Sequence, residues 1–399
     1  MTDIHPFNIS VPQDKINTLQ TKLSLATFPD ELPSESTSRW DQGPPLSEIQ
    51  RLAEKWKTWD WRSVENSPNE YPQFTTKLMN KESPVENAIP LLFVRPGSYL
   101  EVLKILPHLQ SPASTSSPHP SFHIIATSLP NFGFSSGVKK RGFAMAQYGE
   151  TLNKLMIKLG YDEYVTQAGD WGFWITRAIG KLYPKHCKAS HLNMIHAQPP
   201  TLFSNPIEKI GDMFMPYSKL EKRTVERRKW SQAESRGIAP CCLTVDNVLQ
   251  STKPQTLAYG LADSPVALLG WIYEKLHDWS DEYPWSDDEI LTWVSIYYFS
   301  TAGPGAAQRI YYETMHTSED EECTTADVKL GLAYNPKDLE NVPKRWGRTL
   351  GHVVYEVEND SGGHFNSHEK PDLLVRDLRA MFGKGGGAFS IVKGRNGYE

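Results

Sequence analysis

The sequence predicts an α/β fold whose mostly parallel sheet is split by a helical insertion. Three observations predict it. Short apolar runs alternate with helical patterns from residue 88, the alternation lapses between about 200 and 315, and it returns after residue 328. Brief, wholly apolar runs suit strands buried on both faces of a parallel sheet, and the helices between them supply the crossovers.

Residues 1–84 read as an N-terminal meander. Amphipathic helical stretches fall at 15–25 and 46–56, with Trp40, Trp56, Trp59 and Trp61 between and after them. So many tryptophans without strand-like runs point to packing against another unit. Residues 85–199 form the first part of the core, with strand-like runs at 88–94, 122–126, 164–167 and 189–195. Between the second and third runs, Tyr148, Leu152, Leu155, Met156 and Leu159 share one helical stripe that ends at Gly160, a glycine C-cap. The stretch 111–120, SPASTSSPHP, reads as a surface loop. Residues 200–316 read as a helical cap, clearest at 207–219, 266–277 and 288–298. Residues 317–399 complete the core with runs at 328–334 and 353–357 and an amphipathic helix at 371–382. The tract Gly383, Lys384, Gly385, Gly386 and Gly387 predicts a flexible or surface-draped terminus.

Of 399 residues, 39% are hydrophobic and 22% charged, which excludes a disordered chain. A net charge of −5 argues against a general polyanion binder. The short basic clusters Lys139, Lys140 and Arg141, and Lys222, Arg223, Arg227, Arg228 and Lys229, read as solvated faces, so no nucleic-acid partner is expected. The four cysteines, Cys187, Cys241, Cys242 and Cys323, lack CxxC spacing and read as reduced thiols of a cytoplasmic protein. The start MTDIHPFNISVPQDK lacks the apolar run of a signal peptide. No run approaches the ~20 apolar residues of a transmembrane segment, so a soluble protein is expected. A homodimer is compatible with these features.

The most informative segment is Gln167, Ala168, Gly169, Asp170, Trp171 and Gly172, between an apolar run and a helix-like stretch at 174–183. Small residues at 168, 169 and 172 allow a tight strand-to-helix turn that presents Asp170 as a nucleophile, the mechanics of a G-x-S-x-G elbow with aspartate in place of serine. The following helix start favours an ionised carboxylate. Asp170 as a plain helix cap is the competing reading, and this motif alone serves both equally. An acid and a histidine follow in chain order: Asp338 just beyond the run at 328–334, and His364 on a glycine loop beyond 353–357. A histidine there can activate water while the acid orients its other nitrogen.

Further segments make the pattern specific. PFNISVPQDKINTLQTKLSLATFPDEL, YPQFTTKL, LPNFGFSSG, GDWG, SGGHF and EKPDLL together resemble the microsomal-type epoxide hydrolase family, particularly its soluble fungal members, over nearly the full length. The resemblance implies an α/β-hydrolase fold, a nucleophile at Asp170, a base at His364 and an acid at Asp338, with no metal or organic cofactor. It also implies a cap tyrosine that assists the departing oxygen. Tyr311 matches that tyrosine by context, and Tyr312 is the register alternative. Backbone N–H groups of Trp171 and Arg95 are the implied oxyanion hole, while Phe132, Tyr312 and Asp246 are expected against substrate.

Two segments depart from the family pattern. Where the family carries His-Gly-Trp-Pro-Gly, this chain reads Phe93, Val94, Arg95, Pro96, Gly97, Ser98, two residues shorter. Arg95 then has two further readings, a contact for an acidic or carbonyl group of the substrate, or a surface arginine. Four residues before Gln250, where the family often places its other tyrosine, stands Asp246, which donates a proton only if buried and protonated. The expected activity is opening of a lipophilic or natural-product epoxide through an Asp170 ester, then hydrolysis to a vicinal diol. The alternatives are an epoxide-opening cyclase or other biosynthetic tailoring enzyme, and a non-catalytic hydrolase-like binding protein.

Overall fold

The computed structural model describes residues 4–32, 40–76, 87–97, 99–110, 119–219, 221–223, 225–226, 245–317 and 325–398. Cys241, Cys242, Cys323, Arg227, Arg228, Lys229, Ser98 and the 111–118 part of the Pro/Ser loop lie outside them. The N-terminal part runs β1 (Ile4–Pro6), α1 (Gln13–Ser24), α2 (Leu46–Thr58), α3 (Trp61–Asn69) and β2 (Phe74–Thr76). β1 and β2 pair antiparallel, a feature the sequence did not predict, because three residues are too few for a period-2 pattern. The tryptophans pack as expected. Trp56 and Trp61 are buried in one cluster with Leu268, Leu269, Trp293 and Phe299 of the helical insertion. The Trp56 indole donates to Ser295 Oγ at 3.0 Å.

The core sheet contains β3 (Ile89–Val94), β4 (Phe122–Thr127), β5 (Tyr164–Ala168), β6 (Cys187–Leu192), β7 (Thr325–Tyr334) and β8 (Gly351–Glu358), with the short helices α4 (Leu100–Leu103) and α5 (Leu106–Leu109) between β3 and β4. They lie in the order β4-β3-β5-β6-β7-β8, every neighbouring pair parallel. All six residues of β3 are buried. Leu92 and Val94 join a cluster with α6 (Met145–Lys158) and α7 (Trp171–Leu182), while Ile89, Leu91 and Phe93 join the opposite cluster. Two covered faces are why the strand reads as continuous rather than alternating hydrophobicity. Each predicted run lies on a strand, and the 189–195 run differs most. Its strand ends at Leu192, because the backbone turns at Met194 with φ 55°.

Between β6 and β7 the chain is helical among the described residues: α8 (Pro206–Phe214), α9 (Val245–Thr252), α10 (Pro254–Asp263), α11 (Pro265–Asp278), α12 (Asp287–Tyr298) and α13 (Arg309–Met315). α8 stops short of the predicted 207–219 stretch. Met215 is extended at ψ 131°, as the residue before a proline prefers. No helix among the described residues is long and apolar enough to cross a membrane.

The tail corrects the expectation of flexibility. Ala388, Val392 and Tyr398 are buried. Gly397 accepts from Ser121 N–H and donates to the Asn87 carbonyl, both at 2.8 Å. A Cβ on Gly387 would sit 2.6 Å from the Val354 carbonyl oxygen. The glycine there permits close approach of the tail to β8 rather than disorder.

Candidate active site

Three of the parallel strands, β5, β7 and β8, are followed by loops that converge on one point. Asp170 sits between β5 and α7 at φ 54° and ψ −139°, a conformation costing a non-glycine residue ~1–3 kcal/mol. The glycines around it allow close approach of other groups. A Cβ on Gly172 would lie 2.1 Å from the Val94 carbonyl oxygen, and one on Gly169 would lie 2.5 Å from the Arg95 guanidinium. Asp170 Oδ1 accepts from Trp171 N–H at 2.5 Å. The two readings of Asp170 therefore merge, since it caps α7 and is displayed at the elbow.

His364 follows β8 on its glycine loop. Its Nε2 lies 2.8 Å from Asp170 Oδ2 and its Nδ1 lies 2.9 Å from Asp338 Oδ1. Asp338 follows β7 and is buried, and its Oδ1 also accepts from Leu339 N–H at 2.9 Å. Burial alone would lower the basicity of His364, but hydrogen bonds and charge from Asp170 and Asp338 outweigh it and raise the pKa from 6.5 to about 10. Hydrogen bonds and charge on both sides of the ring therefore favour its protonated form. The histidine loop is tied to the insertion: His364 N–H donates to the Trp279 carbonyl and Gly362 N–H to Asp281 Oδ2, each at 2.8 Å.

A pocket opens above these groups, walled by Leu268, Trp271, Ile272, Trp279, Trp293 and Phe365, with Phe132 also on its lining. Tyr311, from α13, lines it and sets its ring edge-on to Trp171 at 4.9 Å. Burial and the charges of Asp170 and Asp246 raise its phenol well above the usual value, while hydrogen bonding with Trp171 and Gln250 acts in the opposite direction. The register alternative is resolved in position. Neighbouring helical residues point ~100° apart, and Tyr312 stacks instead on His316 at 4.1 Å, off the pocket lining. Tyr312 is therefore not brought to the site, contrary to the expectation of substrate contact.

Of the readings of Arg95, burial excludes the surface arginine, and the residue lies on the pocket lining. Only 2% exposed, it donates to Asn193 Oδ1 at 2.8 Å and to the His364 carbonyl at 3.3 Å, and its Nε faces Glu101 at 3.9 Å. Its guanidinium braces the elbow and the histidine loop from beneath, so its charge is already engaged by protein groups. Asp246 lines the pocket paired with Lys275 at 3.1 Å, and its Oδ2 accepts from Gln250 Nε2 at 2.7 Å.

Sequence reasoning missed Lys275, Glu101 and Tyr297, all of them on the pocket lining. Lys275 lies inside a helix-like stretch and Glu101 on a short helix (Leu100–Leu103), where a charged residue ordinarily marks the solvent face. Gln250 served only as a landmark in the sequence. Its proximity to a buried carboxylate has no local signal.

Residues 4–102 match the family model of the epoxide hydrolase N terminus. The chain is 35% identical over 396 residues to a Stigmatella aurantiaca protein whose name assigns it to the epoxide hydrolases, covering 95% of this chain and 84% of that protein. It is 29% identical to epoxide hydrolase 1 of Oryctolagus cuniculus, covering 95% and 89%. The solved Aspergillus niger epoxide hydrolase is 30% identical, with a TM-score of 0.79 over 94% of this chain and 96% of that one. Extent of identity and of shared fold lead to one conclusion: this chain belongs to the epoxide hydrolase family of α/β-hydrolases, enzymes that act on epoxide ether bonds.

Proposed function

We propose that the chain hydrolyses a lipophilic epoxide to a vicinal diol in two steps, through an ester on Asp170, with the helical insertion serving as the cap over the pocket. The observation that carries this reading is the line from Asp170 Oδ2 through His364 to Asp338, with both separations under 3 Å. In the first step Asp170 Oδ2 bonds to an epoxide carbon, the carbon–oxygen bond breaks, and the Tyr311 phenol protonates the released oxygen. Tyr311 becomes a phenolate.

Esterification removes the negative charge of Asp170, so His364 loses one of the two carboxylates that hold its proton. That proton returns to Tyr311, leaving a neutral imidazole oriented by Asp338. In the second step His364 takes a proton from water and the hydroxyl adds to Asp170 Cγ. The carbonyl oxygen then carries the charge beside Trp171 N–H, which already touches Oδ1. The adduct collapses as the diol oxygen leaves with the remaining proton, restoring carboxylate and imidazolium. One water is consumed per epoxide. The apolar pocket wall supports a lipophilic substrate.

The test is turnover of a panel of aryl and alkyl epoxides in oxygen-18 water by wild type, Asp170→Ala and His364→Gln. Over repeated turnovers wild type should give labelled diol, the water oxygen passing first into the Asp170 carboxylate, Asp170→Ala should lose at least ~1000-fold, and His364→Gln should retain the ester as an intact-mass adduct. Loss below tenfold in Asp170→Ala, or epoxide consumption by His364→Gln without adduct, would overturn the reading.

A further inference from the structure

The pocket has two kinds of wall. Most of it is aromatic or aliphatic, but Asp246 and Gln250 on α9, Lys275 on α11 and Gln308 at the start of α13 also line it. The two steps above use none of these four. α9 packs on α13, and Lys275 Nζ lies 3.1 Å from Asp246 Oδ1. Gln250 and Lys275 are buried, and Gln308 is only 2% exposed. Taking a carboxylate and an ammonium out of water costs more than their attraction commonly returns, and apolar side chains of similar volume usually serve stability as well. Stability alone therefore does not account for a charged pair in this wall.

The donors of the cluster are engaged and two of its acceptors are not. Lys275 Nζ, besides facing Asp246, donates to Glu274 Oε1 at 2.7 Å and stands 4.0 Å above the Trp271 ring. Gln250 Nε2 donates to Asp246 Oδ2 at 2.7 Å. Asp246 Oδ1 faces the ammonium outside hydrogen-bond geometry, so it is buried without a hydrogen-bond partner among the described residues. Gln308 Oε1 is buried in the same condition. An unpaired buried acceptor is destabilising, and a ligand that donates to it removes the penalty.

From this geometry we infer that Asp246, Lys275, Gln250 and Gln308 form a subsite for a hydroxyl group of the substrate, which is then a lipophilic epoxide carrying an alcohol away from the ring. The inference deepens the reading above and rests on it for the epoxide end. A neutral donor suits the cluster. An ammonium would meet Lys275 beside Asp246, like charge against like. A hydrocarbon or ether brings no hydrogen and leaves both oxygens unpaired. A hydroxyl gives its hydrogen to Asp246 Oδ1 or to Gln308 Oε1, while Trp271, Trp279 and Trp293 cover the carbon chain.

The test measures kcat/KM for terminal epoxyalkanes of increasing chain length, each beside its ω-hydroxy and ω-methoxy analogues. At the length that reaches from Asp170 to the cluster, the hydroxy epoxide should exceed both its methyl ether and its parent by ~10-fold, the effect of one hydrogen bond to a buried acceptor. A wall without such acceptors gives the reverse order, because a hydroxyl loses its water on entering an apolar pocket. Asp246→Leu combined with Lys275→Met removes both charges together, and Gln308→Leu removes the other acceptor. At least one of these variants should bring the hydroxy-to-methoxy ratio to about one, and which of them does so names the acceptor. A wild type that ranks the hydroxy epoxide no higher than its ether at every length overturns the proposal, whatever the variants do. A preference that survives in both variants, or variants that slow all three substrates equally, also overturns it. A wild type inert to the whole series, parent epoxides included, instead removes the reading on which the subsite rests.

Discussion

The alternation of His364 between imidazolium and base can be examined without any substrate, because Asp170→Asn imitates the charge of the ester. In the resting site His364 Nε2 and Asp170 Oδ2 are 2.8 Å apart. With charge centres ~4 Å apart and an effective dielectric constant of ~20, the pair is worth ~4 kcal/mol, or ~3 pKa units. An asparagine oxygen still accepts from Nε2, which retains part of the hydrogen-bond contribution. The net fall is then ~2 to 3 units, from about 10 to ~7–8. Nitrogen-15 NMR of the imidazoles, titrated from pH 5 to 11 in wild type and Asp170→Asn, reads this directly, with His364→Gln assigning the resonance. A difference below ~1 unit would refute the argument that ester formation itself frees the base.

Two more outcomes follow from the same geometry. The His364 pKa is raised in the folded chain to about 10, above an unfolded value of ~6.5. Its contribution to stability is therefore full below ~6.5 and disappears as pH climbs through about 10, on the order of a few kcal/mol. Urea midpoints across that window should fall more steeply in wild type than in His364→Gln, and parallel profiles would contradict it. Gly172→Ala places a Cβ 2.1 Å from the Val94 carbonyl oxygen and should cost at least ~3 kcal/mol or displace the elbow. Near-wild-type urea stability together with intact ester formation would show that the turn has more room than its backbone suggests.

The sheet was legible because β3, β5 and β6 are covered on both faces, leaving apolar runs too dense to be anything else. The meeting of the three candidate residues was legible for a related reason. Each member follows a strand end, so chain order and small residues carried the signal at Asp170, Asp338 and His364. What escaped was set by distance in sequence. Lys275 and Asp246 lie on different helices, α11 and α9, with α10 between them in sequence, and no local pattern marks a lysine that will be buried against a carboxylate. The glycine-rich tail misled for a different reason. Its composition is that of a flexible segment, yet Val354 and the first residues of the core require a chain without side chains at close approach. Tyr311 and Tyr312 were inseparable by context, and helix phase alone divided them.

The hydrogen bonds from His364 N–H to the Trp279 carbonyl and from Gly362 N–H to Asp281 tie the histidine loop to the end of α11 and the turn beyond it. Gly363 lies too close to that carbonyl for any side chain to intervene. Any hinging of the insertion wide enough to admit a bulky epoxide from that side must either sever these bonds or carry His364 away from Asp170. Admission and water activation would then be mutually exclusive states of one mechanical element, and an Asp170 ester would be hydrolysed only after the lid had settled back over it.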